Sequence, residues 1–177
     1  MRVIAIDPGT AKSAICVVDA ETLRPLDSQI IDNEGMQKYI RCIRHGDDMI
    51  GAIERFQSYG MPVGREVFDA AIWAGRFYEN LKDLTGREPE MIYRSEEKLH
   101  ICHSSRAKDA NIRRALIDRF ADHDFRAGRG TIKNPDWFYG FKADMWAAYA
   151  VGLTLIETRP AVVGKKGVAN NECFRNV

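Results

Sequence analysis

The chain is poor in cysteine and has no pairing pattern among the four it carries. Cys16, Cys42, Cys102 and Cys173 are scattered through 177 residues without a CxxC, so a reducing, intracellular setting is expected. Long apolar runs are also missing, and none reaches the roughly 18 residues of a spanning helix. No basic-then-apolar leader is expected, because Asp7 interrupts the first apolar run. Net charge is nearly absent: 26 Lys and Arg against 25 Asp and Glu leave +1. That is not the balance of a strongly basic nucleic-acid binder, so any such role must rest on local charge. No GxGxxG or Walker pattern is present, which leaves nucleotide binding by those modes unsupported. There is no internal repeat and no low-complexity segment. What remains is an ordinary globular composition, 45% hydrophobic and 29% charged, long enough to bury a core.

The first ten residues carry the most information. Met1-Arg-Val-Ile-Ala-Ile-Asp7-Pro-Gly-Thr10 is a β-branched run that ends on an acid and then turns. Residues 2–7 read as a strand and residues 12–19 as a second, joined by the Pro8–Ala11 turn into a hairpin. Residues 25–31 read as a third strand. Asn33–Arg44 reads as an amphipathic helix using Met36, Tyr39, Ile40 and Ile43. Met49–Glu54 is again apolar with a terminal acid, and Arg55–Gly64 is a loop. Residues 65–84 read as a helix with Val67, Ala70, Ala71, Ala74, Phe77, Tyr78 and Leu81 on one face. Glu90–Arg94 is a short strand. Ser104 or Ser105 is expected to cap a helix through about Phe120. Residues 122–140 form a long polar loop, a kind of segment that tends to be functional or mobile. The last helix is expected over about Phe141–Glu157, and residues 159–177 as a flexible tail. The order predicts an α/β fold, a mixed five-stranded sheet flanked by helices, in one domain over residues 1–158.

Three acids stand out by context. Asp7 and Glu54 end strands, and Asp144 opens the last helix amid Phe141, Met145, Trp146, Ala147 and Ala148. Burying a carboxylate costs several kcal/mol unless it is paired or holds a metal. Each acid taken singly also fits a cap or a loop residue; together they fit convergence. Converging carboxylates repel unless cations neutralise them. Mg²⁺ or Mn²⁺ accepts such oxygen donors, and a pair of such ions can serve phosphodiester hydrolysis without a Ser, Cys or His nucleophile.

Ile6-Asp7-Pro8-Gly9-Thr10, then Ile53-Glu54, then Asp144-Met-Trp-Ala-Ala-Tyr-Ala-Val-Gly resembles the RuvC-type Holliday-junction resolvases of the RNase H-like superfamily. Arg106-Ala-Lys-Asp-Ala-Asn-Ile-Arg-Arg-Ala-Leu116 resembles that family's basic helix start. Tyr59-Gly-Met-Pro-Val-Gly64, Lys108-Asp-Ala-Asn-Ile-Arg113 and Asn134-Pro-Asp-Trp-Phe-Tyr-Gly140 resemble a set of phage- and prophage-encoded RuvC-like proteins. The likeness covers roughly residues 1–157. It implies an RNase H-like sheet with helices on both faces, a homodimer, and Mg²⁺-dependent (or Mn²⁺-dependent) cleavage of Holliday junctions or other branched DNA in the cytoplasm, that of a bacterial host if the protein is phage-encoded. By position it implies Asp7, Glu54 and Asp144 as catalytic metal ligands. The family's usual fourth ligand lies three residues before the last acid, where this chain has Phe141. Lys142, next to it, is expected at the scissile phosphate. The family's lysine at the start of the basic helix is displaced by one, as Lys108-Asp109. The missing ligand keeps open a branched-DNA-binding protein that cuts weakly or not at all. A nuclease acting on flaps, forks or RNA–DNA hybrids is the alternative within the same chemistry.

Residues 98–142 are locally basic, and salt-sensitive phosphate contacts are expected from Lys108, Arg113 and Arg129. Phe56 and Tyr59 follow Glu54, where the resemblance implies an aromatic that stacks on exposed bases; core packing fits Phe56 equally. His100-Ile-Cys102-His103 lacks a second half at zinc-ligand spacing, so surface and core roles are expected there. Trp73, Phe77 and Trp146 are expected in the core or a dimer contact.

Overall fold

A computed structural model of the chain describes residues 1–43, 48–58, 60 and 62–164. Five strands form one mixed sheet: β1 (Arg2–Asp7), β2 (Lys12–Asp19), β3 (Pro25–Asp32), β4 (Met49–Arg55) and β5 (Glu90–Tyr93), in the order β3-β2-β1-β4-β5. β1, β2 and β3 pair antiparallel; β4 and β5 continue parallel to β1. The helices are α1 (Asn33–Cys42), α2 (Arg65–Thr85), α3 (Arg94–Cys102), α4 (Asp109–Phe120), α5 (Met145–Thr158) and α6 (Pro160–Val163). This is the mixed α/β sheet expected, and its strands match the sequence reading to within a residue.

Strand alternation assigns every side chain to a face. In β1, Ile4 and Ile6 join β2's Ile15 and β4's Met49 and Ile53 in one core beneath α1 and α2. Val3 and Ala5 face the other way, with Ile50 and Ala52 of β4 and Ile92 of β5, beneath α4 and α5. Asp7 and Glu54 continue this second set by the same period of two, so both are sent to the α5 side.

α5 is buried nearly all round, from Met145 and Trp146 through Ile156, as a helix laid across a sheet centre must be. Gly152 allows the close approach, since a Cβ there would stand 3.1 Å from both Ala5 Cβ and Val18 Cγ2. The tight turn after Asp7 has a similar cause: a Cβ on Gly9 would meet the Lys12 carbonyl oxygen at 2.2 Å. Ser13 Oγ accepts the Gly9 N–H at 3.0 Å and donates to Asn33 Oδ1 at 2.6 Å, while Asn33 Nδ2 donates to the Gly9 carbonyl at 3.0 Å. The turn that aims Asp7 is therefore locked to the start of α1.

The structure revises several element boundaries. α3 is an added helix. Its inward side chain is an acid, Glu97, and Leu99 is exposed, so no apolar period announces it. α4 starts at Asp109, not at Ser104 or Ser105; the Asn111 side chain accepts the Lys108 backbone N–H at 2.9 Å. α5 starts at Met145, not Phe141, because Gly140 and Ala143 take positive φ (84° and 38°) and interrupt the helical run. On α2 the buried face is Ala70, Ala74, Phe77, Leu81 and Leu84, while Ala71 is exposed. The segment expected as tail opens as a helical turn with Val163 buried; residues 165–177 lie outside the described residues, as does Tyr59. Among the described residues no helix is long and apolar enough to cross a membrane.

Candidate active site

Three parallel strands end on the same edge, and the chain places polar groups at each end. Ala5 pairs with Ala52 and Ile6 with Ile53, so Asp7 and Glu54 come next, side by side. Arg55 pairs with Tyr93, so Arg94 follows at the end of β5 and opens α3. Crevices at the carboxyl ends of parallel strands are the usual ligand sites of such sheets. Here the crevice is a cavity of about 280 Å³ lined by Asp7, Glu54, Arg94, Asp109, Ile112, Ala143, Asp144, Trp146 and Ala147. The three acids singled out in the sequence all line it.

Their electrostatics follow from burial. Desolvation pushes the Asp7 carboxyl well above its ordinary range, the charge of Glu54 adds to this, Arg94 opposes it, and Asp144 adds a further push. Glu54 is raised by burial against the lowering pull of Arg94, and it shares a hydrogen bond with Asp7. Asp144 is exposed on the N-terminal side of α5 and directly follows Ala143, whose φ of 38° is strained for a residue with a Cβ.

The sequence reading missed the cation in this site and the acid behind it. Arg94 Nη1 donates to Glu97 Oε2 at 2.7 Å and reaches Glu54 Oε2 at 3.4 Å, and Nη2 donates to Asp109 Oδ1 at 2.6 Å. Glu97 is fully buried, and burial first, then the charge of Glu54, holds its carboxyl well above the ordinary range. The available signal was positional: Arg94-Ser-Glu-Glu97 directly follows the third parallel strand, with acids in a helical first turn.

The donor set fits a hard divalent cation, because the acids lining the cavity, Asp7, Glu54, Asp109 and Asp144, all offer carboxylate oxygen; behind them a buried Glu97 oxygen has no hydrogen-bond partner. Among the described residues, no group of three or more His, Cys, Asp or Glu side chains already stands in metal-binding geometry.

The remaining expectations are distributed around the cavity. Phe141 is buried in an aromatic cluster, its ring centroid 5.2 Å from those of Phe138 and Trp146. Lys142 is exposed and does not line the cavity. Lys108, Arg113 and Arg129 are all exposed. The Arg113 guanidinium lies 5.0 Å from the ring centroid of Trp146, a cavity-lining residue, and Arg129 Nη1 is 3.5 Å from the Phe141 carbonyl. Phe56 is half-buried against the α1/α2 core and lines a separate cavity of about 460 Å³ with Ala74, Tyr78 and Met91. His100 Nε2 lies 2.6 Å from Glu157 Oε2, and Arg119 also pairs with Glu157. That engages His100 in a hydrogen-bonded cluster with Glu157 and Arg119.

A mixed β3-β2-β1-β4-β5 sheet with helices on both faces and acids at its carboxyl edge defines an RNase H-like fold. Its solved structural neighbours include RuvC of Thermus thermophilus, with a TM-score of 0.63 at 16% identity, covering 91% of this chain and 97% of that one. The same protein in complex with a Holliday-junction substrate aligns with a TM-score of 0.61 at 14% identity, covering 91% of this chain and 96% of the other. The fold is thus RuvC-like along nearly the whole of both chains. No family model and no curated protein sequence matches this chain.

Proposed function

We propose that this protein is a divalent-metal-dependent endonuclease that cleaves branched DNA, with Holliday junctions as the preferred class. The observation that carries the reading is the convergence of Asp7, Glu54 and Asp144 on one cavity at the carboxyl edge of an RNase H-like sheet. In this reading those three acids hold Mg²⁺ or Mn²⁺. A divalent cation bound there supplies the positive charge that makes water and a phosphodiester reactive toward each other. Asp7 and Glu54 are held by adjacent strands, so their spacing is fixed before substrate arrives. Asp144 comes from a separate element and completes the set from the solvent side. Lys108, Arg113 and Arg129 take up flanking phosphates, and Lys142 the phosphate at the cut. Trp146 supports this by holding the Arg113 guanidinium against its ring beside the cavity.

A homodimer would present two such cavities, as a two-fold symmetric junction requires. The motif likeness to phage- and prophage-encoded proteins supports a reaction in a bacterial cytoplasm. Phe141 favours a second outcome, a junction binder with weak cutting, because its ring offers no ligand atom where the resemblance expects the fourth ligand. The test is cleavage of a panel (four-way junction, fork, flap, duplex, RNA–DNA hybrid) in Mg²⁺, Mn²⁺ and EDTA. The expected outcome is metal-dependent incision of the junction, lost in Asp7→Asn by at least about 10³-fold. Undiminished cleavage by Asp7→Asn, or cleavage in EDTA, would overturn the assignment. Tight junction binding without incision would establish the non-cutting reading.

A further inference from the structure

Among the described residues Glu97 and Asp136 are the two buried charged side chains, and their surroundings differ. Asp136 accepts backbone N–H groups from Asp122, His123, Asp124 and Trp137. Glu97 is bonded by Arg94 alone, on Oε2, and its Oε1 is buried with no partner. A buried carboxylate oxygen without a donor is unfavourable, and a cation beside it would offset that cost. The position is informative. Arg94 Nη1 stands 2.7 Å from Glu97 Oε2 and 3.4 Å from Glu54 Oε2, so one guanidinium nitrogen spans the two carboxylates. Glu54 and Glu97 together face that single guanidinium, and Asp7 lies beside Glu54 on the neighbouring strand. Its other nitrogen already donates to Asp109, whose side chain is 80% exposed. Phe141, three residues before Asp144, is packed into aromatic rings and offers no donor.

We propose that Glu97 supplies the fourth carboxylate of the cation site, contributed by α3 instead of by the segment ahead of Asp144. Arg94 then holds positive charge between Glu54 and Glu97 and competes there with a divalent cation. Asp109 gives the guanidinium a second anchor at the surface. This inference rests on the metal-dependent reading above, and it accounts for how a chain with Phe141 keeps a four-acid site.

The test is Mn²⁺ titration of the DNA-free protein, with unbound Mn²⁺ counted by electron paramagnetic resonance. Glu97→Gln keeps the shape and removes the charge; it is expected to weaken Mn²⁺ binding about tenfold or more. An Arg94→Gln background, which has no guanidinium to anchor, keeps the test decisive if Glu97→Gln alone misfolds. Adding Glu97→Gln there is expected to lower affinity by a similar factor. Equal Mn²⁺ affinity with and without Glu97→Gln, in both backgrounds, would reduce Glu97 to an anchor for Arg94 and overturn the proposal. Absence of saturable Mn²⁺ binding by the parent protein would instead overturn the metal reading itself, and Glu97's part with it.

Discussion

Asp7 is held where burial favours its proton over its charge. Its folded carboxyl binds a proton more tightly than the unfolded one does. The stabilisation this gives is complete below the ordinary aspartate range and is lost as pH rises through the raised value. Asp7→Asn removes the charge and with it the loss. In metal-free buffer near neutral pH, the variant should therefore melt about 2–4 °C above the parent. The advantage should shrink as pH falls toward the ordinary carboxylate range, and Mg²⁺ should stabilise the parent alone. Calorimetry across pH with and without Mg²⁺ checks this; a variant less stable than the metal-free parent at neutral pH would contradict it. Asp7, Glu54 and Asp144 were legible in the sequence because each is an acid at the border of an apolar run. Arg94 and Glu97 were not. Their helix turns an acid inward, so hydrophobic periodicity was silent about both residues.

Elements carry the site through register and caps. The strands were readable to within a residue because β-branched alternation and Pro-Gly punctuation agree with the tertiary fold. Helix starts were less readable: α4 and α5 begin after backbone turns at His103 and Ala143, both at positive φ, in residues whose types do not demand it. The long segment between these helices looked like open loop, yet two aspartates organise it. Asp136 binds four backbone N–H groups, and Asp124 binds those of Ala127, Arg129 and Gly130. Burial opposes the Asp136 charge, but these donors prevail and hold its carboxyl below the ordinary range. Its contribution is thus present above that range and lost as pH falls through the depressed value. Asp136→Ala strands the donors and should cost about 2 kcal/mol or more. Hydrogen exchange should speed at Asp122–Asp124 and Trp137 before the sheet is affected. Protection unchanged at those amides would show that the carboxylate does not organise the segment.

At the scale of the molecule, topology does what no local pattern could state. It sends the ends of β1, β4 and β5 to one edge, lays α5 across the same face, and so gathers acids distant in the chain around a single cavity. The family resemblance foresaw that convergence and the fold. It did not foresee Arg94 at the end of β5, pairing Glu54 with a buried acid of α3. The central claim is that these carboxylates exist to hold a divalent cation, and Mn²⁺ soaked into crystals tests it most directly. The expected anomalous difference map has a peak within about 2.5 Å of both Asp7 and Glu54 carboxylate oxygens, with Arg94 withdrawn from Glu54. A map with no peak in this cavity at saturating Mn²⁺, with Arg94 still bridging Glu54 and Glu97, would contradict the account.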